Sequence, residues 1–407
     1  MSVSRVGVVG AGTMGRGIAQ IAALGGYDTV LYDPLPGVAE SSAKELRKTL
    51  DKGATRGRWS AEEADAAAQR VRPADDVQQL AGSELAIEAA PERLELKRDI
   101  FNQLAETLGP EATLASNTSS LRIGEIAEGV PQPERVVGMH FFNPPPLMKL
   151  VEIVAAERSS EQALAAATEV GERMGRTPIR AKDSPGFVAN RLARPFSLES
   201  LRMLGDGVAD AATIDRIVRL GGGFRMGPFE LLDLIGLDVN LEIARSFFAQ
   251  GGEVERWRPS PIQEQLVAEG RFGRKSGHGY HDYGEDSERE PDPDLGIGAP
   301  TLDPAELAKI DPAAEQVLPR LFAQIANEAA FALEEQIASP EDMDTAMKLG
   351  FNWPVGPLDF AGLIGSRRAV ELLEQLEAAN GAAYTQAPLL RHAAEEGVEL
   401  RDLGRQS

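Results

Sequence analysis

Residues 5–15, RVGVVGAGTMG, decide the fold. The first half is a short valine-rich run that reads as a strand. The second half carries Gly10, Gly12 and Gly15 in the G-x-G-x-x-G spacing. Residues 13–24 follow with Met14, Ile18, Ile21 and Ala22 at helical spacing, and Gly25-Gly26 ends that helix. Glycines between a strand and a helix permit a tight turn and close backbone approach to a pyrophosphate at the helix N-terminus. A second strand, residues 29–32, ends in Asp33, where a carboxylate would take ribose hydroxyls. A bare glycine fingerprint is weak evidence, since glycine turns are common. With a strand before it, a helix after it and an acid about 20 residues on, it predicts a dinucleotide-binding, Rossmann-type doubly wound α/β domain. Gly10, Gly12, Thr13, Met14, Gly15 and Asp33 are its cofactor-binding candidates. Asp33 is followed by Pro34-Leu35-Pro36 with no arginine beside it. A 2′-phosphate would meet repulsion there, so NAD is favoured over NADP.

Residues 38–56 read as a polar helix carrying Lys44, Arg47, Lys48 and Lys52. Two readings stand for it, a docking element for a phosphate-bearing substrate and a solvated helix face. The α/β alternation resumes with a strand at 85–90, then Glu92 and a helix at 94–108 that includes Lys97. A short strand at 113–115 closes on Ser116-Asn117-Thr118-Ser119-Ser120. Polar clusters at the carboxyl ends of parallel strands are where doubly wound sheets bind ligands. Ser119 either faces the nicotinamide or caps a helix at 123–127.

Residues 138–154, GMHFFNPPPLMKLVEIV, place His140 at the end of one apolar run and Glu152 inside another. The triple proline 144–146 predicts an extended, stiff connection between them. A carboxylate inside an apolar strand needs a partner, and the histidine is in reach. Such a pair is a general base with its orienting group. A core histidine beside a strand glutamate that faces solvent fits the same residues.

Strand signals vanish from Gly186 onward. Asp183-Ser184-Pro185 has the form of a helix start, and Phe187, Leu192, Phe196, Leu201 and Leu204 keep a helical period. Asn190 is expected about one turn into that helix, near the domain junction. The helical half contains a repeat: DRIVRLGGGFRMGPFELLDLIG at 215–236 returns 129 residues later as DTAMKLGFNWPVGPLDFAGLIG at 344–365. Arg191 falls on Arg320 and Glu199 on Glu328, so one helical domain has been duplicated. Asn190 falls on Pro319, which makes the second copy structural rather than catalytic. The resulting division is a dinucleotide domain 1–183, a first helical domain 184–282, an acidic, proline-rich linker 283–300 and a second helical domain 301–407.

The chain of 407 residues carries a net charge of −21, which argues against a general nucleic-acid or membrane surface while leaving room for an anionic small ligand at a local basic site. It has no cysteine, so disulfides, thiolate metal sites and cysteine nucleophiles are excluded, and no metal is expected. No apolar run approaches about 18 residues, and the N-terminus lacks a signal pattern, so a cytoplasmic protein is expected.

Taken in order, GAGTMGRGIAQ, EAAPERLELK, ASNTSSL, GMHFFNPPPLMKLVEIV, DSPGFVANRL and MGPFELLDLIGLD resemble the L-3-hydroxyacyl-CoA dehydrogenases of fatty-acid and related acyl-CoA degradation. The likeness runs from about Val6 to Tyr280, and the second helical copy resembles the duplicated C-terminal domain of longer members. The resemblance implies an NAD-dependent oxidation of an L-3-hydroxyacyl-CoA, such as 3-hydroxybutyryl- or 3-hydroxyadipyl-CoA, to the 3-ketoacyl-CoA. It implies His140 as the base, Glu152 as the carboxylate that holds it, and Ser119 and Asn190 at the reacting oxygen and the nicotinamide end. It makes Asp33, Glu92, Lys97 and Asn143 cofactor-contacting positions. It also makes the helix that bears Lys48 and Lys52 the element that meets CoA. Shorter members resemble dimers joined through their single helical domains, so this chain is expected to be a monomer with a pseudo-dimeric helical core, or a homodimer through another surface. A neighbouring dehydrogenase of a free hydroxy or sugar acid is the alternative activity. A dinucleotide-binding protein without chemistry is opposed by the joint presence of His140, Glu152, Ser119 and Asn190. The remaining histidines, His278, His281 and His392, lie in helical-domain segments and make poorer bases.

Overall fold

The structure, a computed structural model, describes residues 3–284 and 291–405. Part of the expected linker, 285–290, therefore lies outside the described residues. The chain divides into two units, Met1–Phe187 and Val188–Ser407.

The first unit is built on one eight-stranded sheet. Its strands are β1 (Arg5–Val9), β2 (Asp28–Tyr32), β3 (Val71–Ala74), β4 (Leu85–Glu88), β5 (Thr113–Ser116), β6 (Val136–Phe141), β7 (Leu150–Ala155) and β8 (Thr177–Lys182). The spatial order is β3-β2-β1-β4-β5-β6-β7-β8, and every neighbouring pair is parallel except β6 with β7. The reversal from β2 on one side of β1 to β4 on the other creates the crevice at which such sheets bind ligands. Helices α1 (Thr13–Leu24), α2 (Val38–Thr55), α3 (Ala61–Arg70), α4 (Leu94–Thr107), α5 (Ile123–Ala127) and α6 (Glu161–Arg173) complete the unit. The inner strands are apolar on both faces because helices cover both: Val6, Val8, Leu85, Ile87, Val137 and Met139 are sealed from solvent.

Four expectations are corrected in this unit and at the start of the next. The proline run does not extend the chain: the carbonyl of Pro144 accepts the N–H groups of Leu147 (3.0 Å) and Met148 (3.1 Å), closing a turn that the ring φ of about −65° permits. Asp183-Ser184-Pro185 does not start a helix, since the next one begins at Ala189. Asn190 is accordingly the second residue of that helix, not one turn in. Nor does Ser119 cap α5. The Asp183 carboxylate does so from afar, accepting the N–H groups of Ile123 (2.9 Å) and Gly124 (2.8 Å). Two strands lie beyond the pattern as first read, β3 with Pro73 inside it and β8 with Pro178. Both are sheet edges, where a missing N–H costs no ladder bond.

The second unit is helical. Its longer helices are α7 (Ala189–Leu192), α8 (Arg194–Gly205), α9 (Ala211–Leu220), α10 (Pro228–Ile235), α11 (Leu237–Gln250) and α12 (Pro261–Ala268), then α13 (Pro304–Ile310), α14 (Ala314–Glu334), α15 (Pro340–Gly350), α16 (Pro357–Ile364), α17 (Ser366–Asn380), α18 (Pro388–Glu396) and α19 (Leu400–Gly404). Shifted by the repeat offset, α8 to α11 fall on α14 to α17. Local details repeat as well. Asp215 caps α10 through Phe229 N (2.9 Å), and Asp344 caps α16 through Leu358 N (3.0 Å). Gly227 and Gly356 precede those helices, and at each a Cβ would overlap the capping carboxyl group.

The two copies meet across a pseudo-twofold axis. Arg191 bonds Glu328 (2.7 Å) and Glu335 (2.6 Å); reciprocally, Arg320 bonds Glu199 (2.8 Å) and Asp206 (3.0 Å). In such an arrangement residue i of one copy meets j of the other while j meets i, the signature of a two-fold contact. Phe224 and Trp353, which are repeat equivalents, touch edge to face with centroids 5.4 Å apart.

Candidate active site

The glycine turn at the end of β1 is tight on one side and open on the other. Gly10 has φ +93°, and a Cβ on it would press on the backbone of Ala89; a Cβ on Gly15 would overlap the carbonyl of Gly10. Gly12, by contrast, faces open space. The first turn of α1, which includes Thr13 and Met14, carries no acidic residue and no side-chain cap. Its N–H groups are thus left for an anion. Asp33 accepts the N–H of Ala11 (2.9 Å) and of Leu35 (3.0 Å), which fixes the acid beside the turn while each carboxylate oxygen keeps a further lone pair. These features fit a dinucleotide: close backbone approach, a helix N-terminus, and an acid fixed beside the turn.

At the carboxyl ends of β4 and β5 lies a buried polar hub. Glu88, sealed from solvent, accepts Lys97 Nζ (2.7 Å), Ala90 N (2.7 Å) and Ser116 Oγ (2.6 Å). Lys97 is equally buried and also pairs with Glu92 (3.2 Å). Glu92 in turn gathers the next loop, accepting Thr118 Oγ1 (2.6 Å), Ser120 Oγ (2.8 Å) and the N–H groups of Ser119 and Ser120 (3.1 Å each). Burial alone would push the Glu92 carboxyl up. The Lys97 ammonium and the Thr118, Ser120 and Ser119 donors outweigh it and hold the group below its ordinary value. Ser119 is thereby placed by its backbone. Glu88 escaped the sequence analysis, although an acid inside the apolar LAIEAA was a signal of the same kind as Glu152.

His140 and Glu152 are direct cross-strand partners on β6 and β7. Nδ1 of His140 lies 2.6 Å from Oε2 of Glu152, and the two residues are 6% and 0% exposed. A carboxylate only accepts, so Nδ1 carries the hydrogen and Nε2 keeps the lone pair. The ring is wedged by Phe142 (centroids 4.5 Å) and Phe187 (5.8 Å). Asn117, at the end of β5, accepts the N–H of Phe141 (2.9 Å) and so ties the Ser119 loop to the histidine strand. The proline turn that follows packs on α1: a Cβ on Gly17 would meet Pro145 and Pro146 at 3.0–3.2 Å. Glycine turn, Ser119 loop and imidazole thus share one end of one sheet.

The other predicted residues are placed as follows. Asn143 is exposed in the turn after β6, and its bond to Pro144 is cis. Asn190 belongs to the second unit, where its carbonyl accepts Arg194 Nε (3.3 Å). Lys48 and Lys52 are exposed on α2, and Lys48 pairs with Glu45 (2.6 Å) on the same helix. His281 bonds Asp215 (2.8 Å) and His278 bonds Asp282 (2.9 Å), both within the helical unit. No group of His, Asp and Glu suited to a metal ion occurs among the described residues, and no described helix is long and apolar enough to cross a membrane.

The sequence pattern of the 3-hydroxyacyl-CoA dehydrogenase NAD-binding domain matches residues 5–184. That of the 3-hydroxyacyl-CoA dehydrogenase C-terminal domain matches residues 186–283 and 317–406. A protein of Escherichia coli K12 named 3-hydroxyadipyl-CoA dehydrogenase is 35% identical over 98% of this chain and 99% of its own length. A probable 3-hydroxybutyryl-CoA dehydrogenase of Deinococcus radiodurans is 39% identical over 69% of this chain and 100% of its own. The crystal structure of an Escherichia coli K12 protein described as 3-hydroxybutyryl-CoA dehydrogenase aligns with a TM-score of 0.87 at 34% identity, covering 97% of this chain and 99% of that one.

Proposed function

This chain belongs to the 3-hydroxyacyl-CoA dehydrogenase family, and from that premise we propose that it interconverts L-3-hydroxyacyl-CoA and 3-ketoacyl-CoA with NAD, using His140 as the base. The observation that carries the proposal is the buried His140–Glu152 pair at the ligand end of a dinucleotide-binding sheet. When bound, NAD supplies the hydride acceptor. The chain's own part is the proton. Nε2 of His140 takes the hydroxyl proton as the carbonyl forms, and Glu152 stabilises the imidazolium that results. In the reverse direction the imidazolium returns that proton to the ketone oxygen. Ser119 and Asn190 orient the reacting oxygen, Glu92 and Lys97 shape the cofactor rim, and Asn143 lies beside it. Lys48 and Lys52 offer exposed charge to CoA phosphates.

The same family supports an internal pseudo-dimer, with the second helical copy standing where a partner's helical domain would be. What supports it is the reciprocal Arg191–Glu328 and Arg320–Glu199 pairing.

NADH consumption with acetoacetyl-CoA, set beside free acetoacetate, tests the activity. Turnover of the thioester alone is expected. Turnover of the free acid but not the thioester would transfer the chain to the hydroxy-acid alternative.

A further inference from the structure

Three arginines are buried in the helical unit, and two of them are well matched. Arg191 and Arg320 each hold two carboxylates. Arg194, 7% exposed, holds none among the described residues. Its Nε touches the Asn190 carbonyl at 3.3 Å, and its guanidinium lies over the Phe247 ring at 5.6 Å. The terminal Nη atoms hydrogen-bond to no described protein group, yet they are not among the sealed, unpartnered polar atoms, so they border reachable space. Burial without an anion pushes the group down to about 10, still protonated at neutral pH. A cation held in this way is expensive, and proteins rarely keep one without a counter-charge.

The helical fold does not require it. The repeat equivalent of Arg194 is Ala323, fully buried in α14, where the same architecture packs with a methyl group. The equivalent of Asn190 is Pro319. The first copy therefore carries Asn190 and Arg194 where the second carries Pro319 and Ala323, and the contact of Arg194 Nε with the Asn190 carbonyl joins the two. One of them is the residue assigned above to the reacting oxygen, and the other is a buried charge awaiting an anion. The anion is unlike the cofactor's pyrophosphate, which the glycine turn of the first unit accommodates. With Asn190 at the reacting oxygen, as proposed above, an anion that meets Arg194 belongs to the acyl chain that bears that oxygen.

We infer that Arg194 is a specificity residue that binds a carboxylate at the far end of a short acyl chain, making the preferred substrate an ω-carboxylated 3-hydroxyacyl-CoA. This rests on the dehydrogenase reading above and narrows it. The planar guanidinium suits a carboxylate bidentately, and an uncharged acyl tail would leave it desolvated and unpaired.

The test compares 3-ketoadipyl-CoA with 3-ketohexanoyl-CoA, equal in length and different in the terminal carboxylate, for wild type and Arg194→Met. Wild type is expected to favour the carboxylated substrate at least about tenfold in kcat/KM. Arg194→Met is expected to lose that preference while keeping or raising activity on 3-ketohexanoyl-CoA, and Arg194→Lys to recover part of it. The Met variant should keep or raise Tm, because it removes an unpaired buried charge. Equal losses on both substrates, or an unchanged preference, would overturn the inference. Calorimetric binding of adipyl-CoA and hexanoyl-CoA, neither of which can react, reads the same preference without turnover. A wild type that binds adipyl-CoA better through Arg194 but reduces neither ketone would keep this inference and sink the dehydrogenase reading. Equal affinity for both would sink the inference alone.

Discussion

The imidazole of His140 is held by one carboxylate and two aromatic rings, and each contact constrains what it can do. Glu152→Gln keeps the shape and a hydrogen bond but removes the charge that stabilises imidazolium. Turnover should fall on the order of 10²-fold while NADH affinity changes little; steady-state kinetics beside fluorescence titration separates the two. A second histidine acts on stability instead. The Asp215 hydrogen bond raises the His281 pKa above its ordinary 6.5 despite burial, and burial keeps Asp215 itself up. A raised histidine stabilises fully below the unfolded value and loses that contribution as pH climbs through the folded one. His281→Gln should therefore lower Tm more at about pH 6 than at about pH 9. In the second copy the same cap, Asp344, is paired with Arg401 (2.6 Å), which does not titrate in that range, so Arg401→Gln should cost the same at both. At this scale an acid that interrupts an apolar strand was the legible signal, read at Glu152 and passed over at Glu88. Arg194 was hidden because a lone arginine in a helix has no pattern; only its missing partner in space, and Ala323 in the other copy, reveal it.

Among elements, the periods of two and 3.6 located β1, α1, β2, β4, α4 and the β6–β7 pair, because burial on one or both faces writes itself into residue order. The edge strands β3 and β8 and the proline turn were not legible. The proline turn is local but lacks the usual glycine or asparagine signal, while the strands take their hydrogen bonds from distant chain segments, as Thr177 N to Lys149 O (2.7 Å) illustrates. The same is true of α5, whose cap comes from Asp183 rather than from its own N-cap residue Arg122. Asp183→Ala should cost about 1–2 kcal/mol in denaturant unfolding, a larger loss than for the local candidate, Ser119→Ala. The hub between β4, α4 and β5 gives a sharper test. Glu88→Gln leaves Lys97 with a weakened partner and should destabilise. Glu88→Gln with Lys97→Met removes both charges and should recover much of the stability, since a buried ion pair can be replaced at little net cost. The double variant should nevertheless stay impaired in NADH affinity, because Glu92 has lost its anchor. Full recovery of both would reduce the hub to a packing element.

For the whole molecule, the duplication was readable from sequence because the offset of 129 holds across every matched position. The pairing of the copies was expected from the family resemblance alone, and the residues that make it were not readable, since reciprocal contacts exist only in space. A chain ending near Pro300 would expose the apolar and charged face that the second copy covers, including Arg191, Glu199 and Phe224. Light scattering should find the complete chain not assembled through that face, and the shortened one dimeric or aggregated through it. On the proposed function, this whole apparatus moves one proton through His140 while NAD takes the hydride. The most direct measurement is NADH oxidation by acetoacetyl-CoA in wild type and His140→Gln under saturating cofactor, with NADH binding checked for both. Robust wild-type turnover is expected, with a loss on the order of 10³-fold in the variant and NADH affinity retained. A variant that binds NADH and turns over at the wild-type rate would contradict that role of His140.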